Sequence, residues 1–155
     1  MAELAPGIEA PDFTLPRDGG GTVTLSAFRG RPVVLFFYPK DDTEGCTTEA
    51  KDFTAAKADF DAAGVALLGI SPDPVGKHEK FIRKHDLGVA LASDENLSTL
   101  EAYGVWKEKS MYGRTYMGVE RTTVLVDADG RIAEIWRKVK VKGHVEAVLD
   151  AARKL

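Results

Sequence analysis

Two uninterrupted apolar runs stand out along the chain, Pro32-Val33-Val34-Leu35-Phe36-Phe37-Tyr38 and Val65-Ala66-Leu67-Leu68-Gly69-Ile70. Each has the length of a strand and shows no apolar–polar alternation, the pattern of a strand covered on both faces. Thr22-Val23-Thr24-Leu25 follows the turn-rich Asp18-Gly19-Gly20-Gly21 and reads as a short strand. Thr122-Thr123-Val124-Leu125-Val126 and Arg131-Ile132-Ala133-Glu134-Ile135-Trp136 flank Asp127-Ala128-Asp129-Gly130, a hairpin turn signal. Helical patterns fit at about 44–62, 74–85, 97–103 and 143–154, and the glycine-punctuated stretch 104–118 reads as a long loop. A β-α-β-α order followed by a hairpin and a last helix implies a mixed central sheet with helices on both faces.

The order is similar to the thioredoxin-like α/β arrangement, with an N-terminal extension. At 155 residues the chain is expected to form one domain over 1–155. Hydrophobic residues make up 44% and charged residues 29%, which excludes the compositions of disordered chains. The charge balance of 21 − 24 = −3 gives no basic excess, so neither nucleic acid nor an anionic membrane is an expected partner. No apolar run approaches the ~18–20 residues that span a bilayer. The start, Met1-Ala2-Glu3-Leu4-Ala5-Pro6, lacks the basic and apolar segments of a signal peptide, and a cytoplasmic protein is expected.

There is one cysteine, Cys46. An intramolecular disulfide, a CxxC redox pair and a multi-cysteine zinc site are excluded, which leaves an inert buried thiol or a reactive one. Positions 46, 50, 53, 57 and 60 share one helix face, and Cys46, Ala50, Phe53 and Phe60 make it apolar around Lys57. Thr43 is a suitable N-cap, which puts Cys46 in the first turn, where backbone N–H groups lack intrahelical partners and the helix dipole favours a thiolate. Against this, Asp41, Asp42, Glu44 and Glu49 outnumber Lys40 nearby. Like charges disfavour an anion. A reactive Cys46 would therefore need a cation, an arginine brought from elsewhere in the chain.

The segment Phe36-Phe37-Tyr38-Pro39-Lys40-Asp41-Asp42-Thr43-Glu44-Gly45-Cys46-Thr47-Thr48-Glu49-Ala50 resembles the active-site segment of peroxiredoxins, most of all the bacterioferritin comigratory protein (PrxQ) subfamily. Pro39, Thr43 and Cys46 meet the family pattern Pro-x-x-x-Thr-x-x-Cys. Gly118-Val119-Glu120-Arg121-Thr122-Thr123-Val124-Leu125-Val126-Asp127 resembles the segment carrying the family's active-site arginine, at Arg121. The similarity runs from Ala10-Pro11-Asp12-Phe13 to the last helix.

The resemblance implies a thiol-dependent peroxidase acting on hydrogen peroxide and organic hydroperoxides, without haem, metal or flavin. Cys46 would be the nucleophile that becomes a sulfenic acid. Thr43 would offer its hydroxyl as acceptor and donor to thiolate and peroxide, Pro39 would shield the thiolate, and Arg121 would supply the cation. Gly45 and Cys46 would add backbone N–H donors, and Glu49 would orient Arg121. Glu44 stands where relatives often have proline, and Lys51 where many carry a resolving cysteine. With no second cysteine, recycling would fall to an external thiol: thioredoxin, glutaredoxin with glutathione, or a small thiol. A monomer is implied, with a dimer left open.

Two other readings use the same fold. A non-catalytic thioredoxin-like binding or chaperone module would not need Pro39, Thr43, Cys46 and Arg121 together. A thiol–disulfide oxidoreductase would need a second cysteine near Cys46. His78 and His85, seven residues apart on one helix, are too far apart for one metal, and His144 stands alone. Gly19-Gly20-Gly21 lacks the residues of a phosphate loop. Arg137-Lys138-Val139-Lys140-Val141-Lys142 reads as a solvated edge or loop, with docking of an acidic reductase as the sharper alternative. Trp106, Tyr112 and Tyr116 either border the pocket or pack a long loop.

Overall fold

The structure is a computed structural model and describes residues 4–155. The expectation of a leaderless start rests partly on residues 1–3, which lie outside the described residues. In chain order the elements are β1 (Thr14–Pro16), β2 (Thr22–Thr24), β3 (Val33–Phe37), α1 (Glu44–Ala62), β4 (Ala66–Ser71), α2 (Val75–His85), β5 (Ala90–Ser93), α3 (Ser98–Ala102), β6 (Trp106–Met111), β7 (Arg114–Val119), β8 (Thr122–Val126), β9 (Ile132–Trp136) and α4 (His144–Arg153). Among the described residues no helix is long and apolar enough to cross a membrane.

Five strands form a mixed sheet in the order β5-β4-β3-β8-β9. β3 pairs in parallel with β4 and antiparallel with β8, so it occupies the centre. This is why its sequence is apolar throughout: alternate side chains enter two different cores. Val33, Leu35 and Phe37 face a core shared with Phe13, Leu15, Leu100 and Tyr103, under the β1–β2 hairpin and α3. Val34, Phe36 and Tyr38 face a second core with Phe53, Phe60, Phe81 and Val148, covered by α1, α2 and α4.

Three elements depart from the sequence-based expectation. β1 pairs with β2, yet its three residues are too few to show a period. β5 completes the sheet edge beside β4 and is equally short. The stretch 104–118 is largely a hairpin rather than a loop, with β6 and β7 paired from Trp106↔Val119 to Met111↔Arg114. Its side chains are mostly exposed, so it carries no apolar alternation to read. Tyr112 and Gly113 both have positive φ, 53° and 76°, as a two-residue hairpin turn requires. The basic stretch after β9 is a loop, and Lys138, Lys140 and Lys142 are exposed.

Candidate active site

The register of the sheet assembles the site. Phe37 at the end of β3 pairs with Thr122 at the start of β8. Because the strands are antiparallel, the residues just beyond these two, Tyr38 and Arg121, leave the sheet at the same end. The chain after Tyr38 crosses in a short loop and enters α1, whose first turn holds Cys46. Cys46 is 2% exposed and packs in the core with Tyr38, Ala50 and Phe53. Two segments 75 residues apart in sequence thus meet at one sulfur atom.

Arg121 bridges that sulfur and a carboxylate. Its Nη2 donates to Cys46 Sγ at 3.3 Å and its Nη1 to Glu49 Oε1 at 2.8 Å. Cys46 and Glu49 lie three residues apart on α1, one turn of one face, so a single planar guanidinium spans both. Gly45 makes the approach possible. A Cβ there would lie 3.1 Å from Arg121 Nη2, which leaves no slack for a side chain.

Burial pushes the Glu49 carboxyl up to about 7, although Arg121 pulls the other way. Burial also opposes the charge on Arg121, but Glu49 and the Cys46 sulfur outweigh it and hold the guanidinium above its ordinary range. Lys109, on β6, is a second cation that interacts with Cys46. Burial and then Arg121 lower it, while Cys46 and Glu120 act in the opposite sense.

Of the four local carboxylates that the bare sequence sets against a thiolate, three are engaged by partners. Asp41 Oδ1 accepts from the Tyr38 hydroxyl at 2.6 Å, and its Oδ2 lies 2.6 Å from His78 Nδ1. Its backbone N–H donates to Asp73 Oδ2 at 2.8 Å. Asp42 is bound by Lys84 Nζ at 2.7 Å and His85 Nε2 at 2.8 Å, contacts that hold its carboxyl below the usual range. They also accompany a left-handed backbone at Asp42, φ 60°, a conformation aspartate tolerates. Glu49 is engaged by Arg121, and Glu44 is exposed in the first turn, where the helix dipole favours it.

Thr43 occupies the N-cap position in extended conformation, but its hydroxyl does not cap the helix. Its Oγ1 donates to the Lys40 carbonyl at 2.8 Å. A carbonyl only accepts, so the one hydroxyl proton is committed there and Oγ1 has only lone pairs to offer a substrate. The first-turn N–H groups of Gly45 and Cys46 precede the first α-helical bond, Thr47 N–H to the Thr43 carbonyl at 2.8 Å.

Cys46, Thr43, Arg121, Glu49 and Gly45 therefore come together, with Pro39 half-buried at the start of the same loop. His78 and His85 hold the two aspartates of that loop, a role their helix spacing did not reveal. Among the described residues no group of three or more His, Cys, Asp or Glu could hold a metal. His144 faces Thr123 Oγ1 at 2.8 Å, and burial, then Arg121, pushes it down to about 4. Asp127 makes a turn, accepting from the N–H groups of Asp129 and Arg131, both at 2.9 Å. Trp106 packs against the core, whereas Tyr112 and Tyr116 stand out on the hairpin, 97% and 45% exposed, so neither packs a loop. A groove of about 880 Å³ between α1 and α4 is lined by none of the site residues.

The chain is similar to known proteins over nearly its whole length. The model of the AhpC/TSA family matches residues 6–135. Peroxiredoxin Bcp of Bacillus subtilis is 47% identical over 147 residues, covering 95% of this chain and 94% of that protein. A structure of the bacterioferritin comigratory protein of Xanthomonas campestris, described in terms of its alkyl peroxide reduction activity, superposes with a TM-score of 0.90 at 42% identity, covering 97% of this chain and 98% of that one. A cysteine-to-serine mutant of PrxQ from Xylella fastidiosa superposes with a TM-score of 0.93 at 35% identity, covering 99% and 98%.

Proposed function

This chain belongs to the AhpC/TSA family of thioredoxin-like peroxiredoxins, and from that premise we propose that it reduces hydrogen peroxide and organic hydroperoxides at Cys46 with electrons from an external thiol. The observation that carries the assignment to Cys46 is the guanidinium of Arg121, 3.3 Å from Sγ and 2.8 Å from Glu49 Oε1.

The Cys46 thiolate attacks the terminal oxygen of the peroxide. The S–O bond forms as the O–O bond breaks, sulfur is oxidised to a sulfenic acid, and water or an alcohol leaves after taking up a proton. Arg121 favours the anion before attack and meets the charge that develops on the departing oxygen. Thr43 Oγ1 accepts a hydrogen bond from the peroxide, because its own proton is held by Lys40. The N–H groups of Gly45 and Cys46 supply donors at a helix N-terminus. Pro39 shields the thiolate and stiffens the loop entry, and Glu49 orients Arg121.

Regeneration is of the one-cysteine type, since Cys46 is the only cysteine. An external thiol condenses with the sulfenic acid and releases water. A second thiol attacks the mixed disulfide, freeing Cys46 and leaving the external disulfide. Thioredoxin, glutaredoxin with glutathione, or a small thiol fits this chemistry. The cytoplasm suits it, being a compartment that keeps thiols reduced. We take the chain as one domain, built on one five-stranded sheet, and as a monomer.

Rapid mixing of reduced protein with sub-stoichiometric hydrogen peroxide, followed by a sulfenic-acid trap and intact mass, tests the reading. Stoichiometric trapping at Cys46, far faster than for free cysteine, is the expected result. A rate like that of free cysteine would favour the non-catalytic module instead.

A further inference from the structure

Glu49 holds an unexplained atom. Its side chain is 1% exposed, and although Oε1 accepts from Arg121, Oε2 is buried with no hydrogen-bond partner among the described residues. A full carboxylate charge is poorly served by one bonded oxygen and one bare one. The same guanidinium also faces Cys46 Sγ. Two acids therefore share one half-buried cation, and ionising both would leave a net negative charge in the pocket.

The surrounding groups do not relieve this. Asp52, on α1, adds negative charge near Glu49. Lys109 on β6 and Glu120 before β8 carry opposite charges around Arg121 and Cys46. His144 at the start of α4 is kept neutral by burial and Arg121.

We propose that Glu49 holds a proton while Cys46 is a thiolate, and loses it when Cys46 is oxidised, so that the anion paired with Arg121 passes from sulfur to carboxylate. The proposal rests on the peroxidase reading above and extends it. The step balances: thiolate, hydroperoxide and protonated Glu49 become sulfenic acid, alcohol or water, and ionised Glu49. The S–O bond forms and the O–O bond breaks. Sulfur loses two electrons to the peroxide, the leaving oxygen gains a proton, and Glu49 gives one up. Arg121 faces a single negative charge before and after, and the solution supplies no proton. The position of the Glu49 carboxyl, raised to about 7, accords with this.

The test is a single turnover with hydrogen peroxide in weakly buffered solution, about one pH unit below that value. An indicator dye counts protons, and ultraviolet absorbance reports the thiolate before mixing. The expected result is a thiolate that oxidises without net proton uptake in the wild type. Glu49→Gln should instead take up about one proton per Cys46 oxidised, as the stoichiometry then requires. The infrared difference spectrum should show a protonated carboxyl band lost and a carboxylate band gained, both absent in Glu49→Gln. One proton taken up per wild-type turnover, a thiol rather than a thiolate before mixing, or an infrared band that persists in Glu49→Gln would overturn the proposal. If Glu49→Gln does not fold, carbon-13-labelled glutamate in the wild type decides: a band that shifts with the label supports it, and an unshifted one refutes it. Failure of the peroxidase reading is distinguishable, because Cys46 would then not be rapidly oxidised at all.

Discussion

The imidazole of His78, wholly buried on α2, sits with Nδ1 2.6 Å from Asp41 Oδ2 and Nε2 3.0 Å from the Ala92 carbonyl. A carbonyl only accepts, so Nε2 donates to it, and Nδ1 is the ring atom left to face the carboxylate. The contact ties α2 to the loop whose Lys40 carbonyl holds the Thr43 hydroxyl. The Asp41 backbone N–H, bonded to Asp73, fixes the loop a second time.

Asp41→Asn or His78→Gln is expected to slow the peroxide step by misplacing Thr43, while the thiolate absorbance of Cys46 is retained. Removing one side of this buried hydrogen-bonded pair should also cost about 1–3 kcal/mol in denaturant melts. Combined with Thr43→Val, neither variant should slow the peroxide step beyond Thr43→Val alone. Strictly additive losses would show that the pair acts on the site by another route.

Arg121→Ala should lower the rate of Cys46 oxidation by about 10²–10³-fold, the loss typical of a single donor to a developing anion. Arg121→Lys should recover little, because one ammonium cannot span Sγ and Glu49 Oε1 as the guanidinium does. Stopped-flow oxidation kinetics check both. An unchanged rate in Arg121→Ala would remove Arg121 from the mechanism.

Gly45→Ala places a Cβ 3.1 Å from Arg121 Nη2. The guanidinium must give by a few tenths of an ångström, and a reduction of about 10-fold in oxidation rate is expected, less than the ~10²-fold that a 1 Å misplacement can cost. Helix α1 should gain or lose little, as alanine is the better helix former. A wild-type rate in Gly45→Ala would mean that the close approach is not needed.

Two buried groups pull stability in opposite directions with pH. Glu49 is raised from 4.5 to about 7, so its contribution is full below about 4.5 and is lost as pH rises through about 7. His144 is lowered from 6.5 to about 4, so its contribution is full above about 6.5 and is lost as pH falls through about 4. Between about pH 4.5 and 6.5 the two slopes oppose each other, so denaturant midpoints should rise more steeply with pH in Glu49→Gln than in the wild type, and fall with pH in His144→Gln. Each effect is on the order of a few kcal/mol at most. Unchanged pH profiles in the variants would contradict the burial argument.

With Cys46 the only cysteine, rapid peroxide consumption should end after one equivalent unless a thiol is added, apart from the slower second equivalent that over-oxidation uses. Excess peroxide should then drive Cys46 to sulfinic acid, read by intact mass. Sustained turnover without thiol would refute external recycling.

The order of the main strands and helices was legible in the chain, because an apolar run such as 32–38 and a face such as Cys46, Ala50, Phe53 and Phe60 are burial patterns written locally. So was the condition on Cys46, since a lone cysteine at a helix start with like charges around it needs a cation if it is to react. The β6–β7 hairpin was not legible, because its exposed side chains leave pairing to backbone hydrogen bonds, which any sequence can make. Nor was the fate of the local aspartates. Which cation meets Cys46, and that Asp41 and Asp42 are held by His78 and His85, depend on sheet register and on how α2 sits against the loop after β3. These are long-range contacts, and no spacing along the chain encodes them. Only the folded structure could show that one guanidinium serves two acids, and that Glu49 keeps an oxygen with no partner among the described residues.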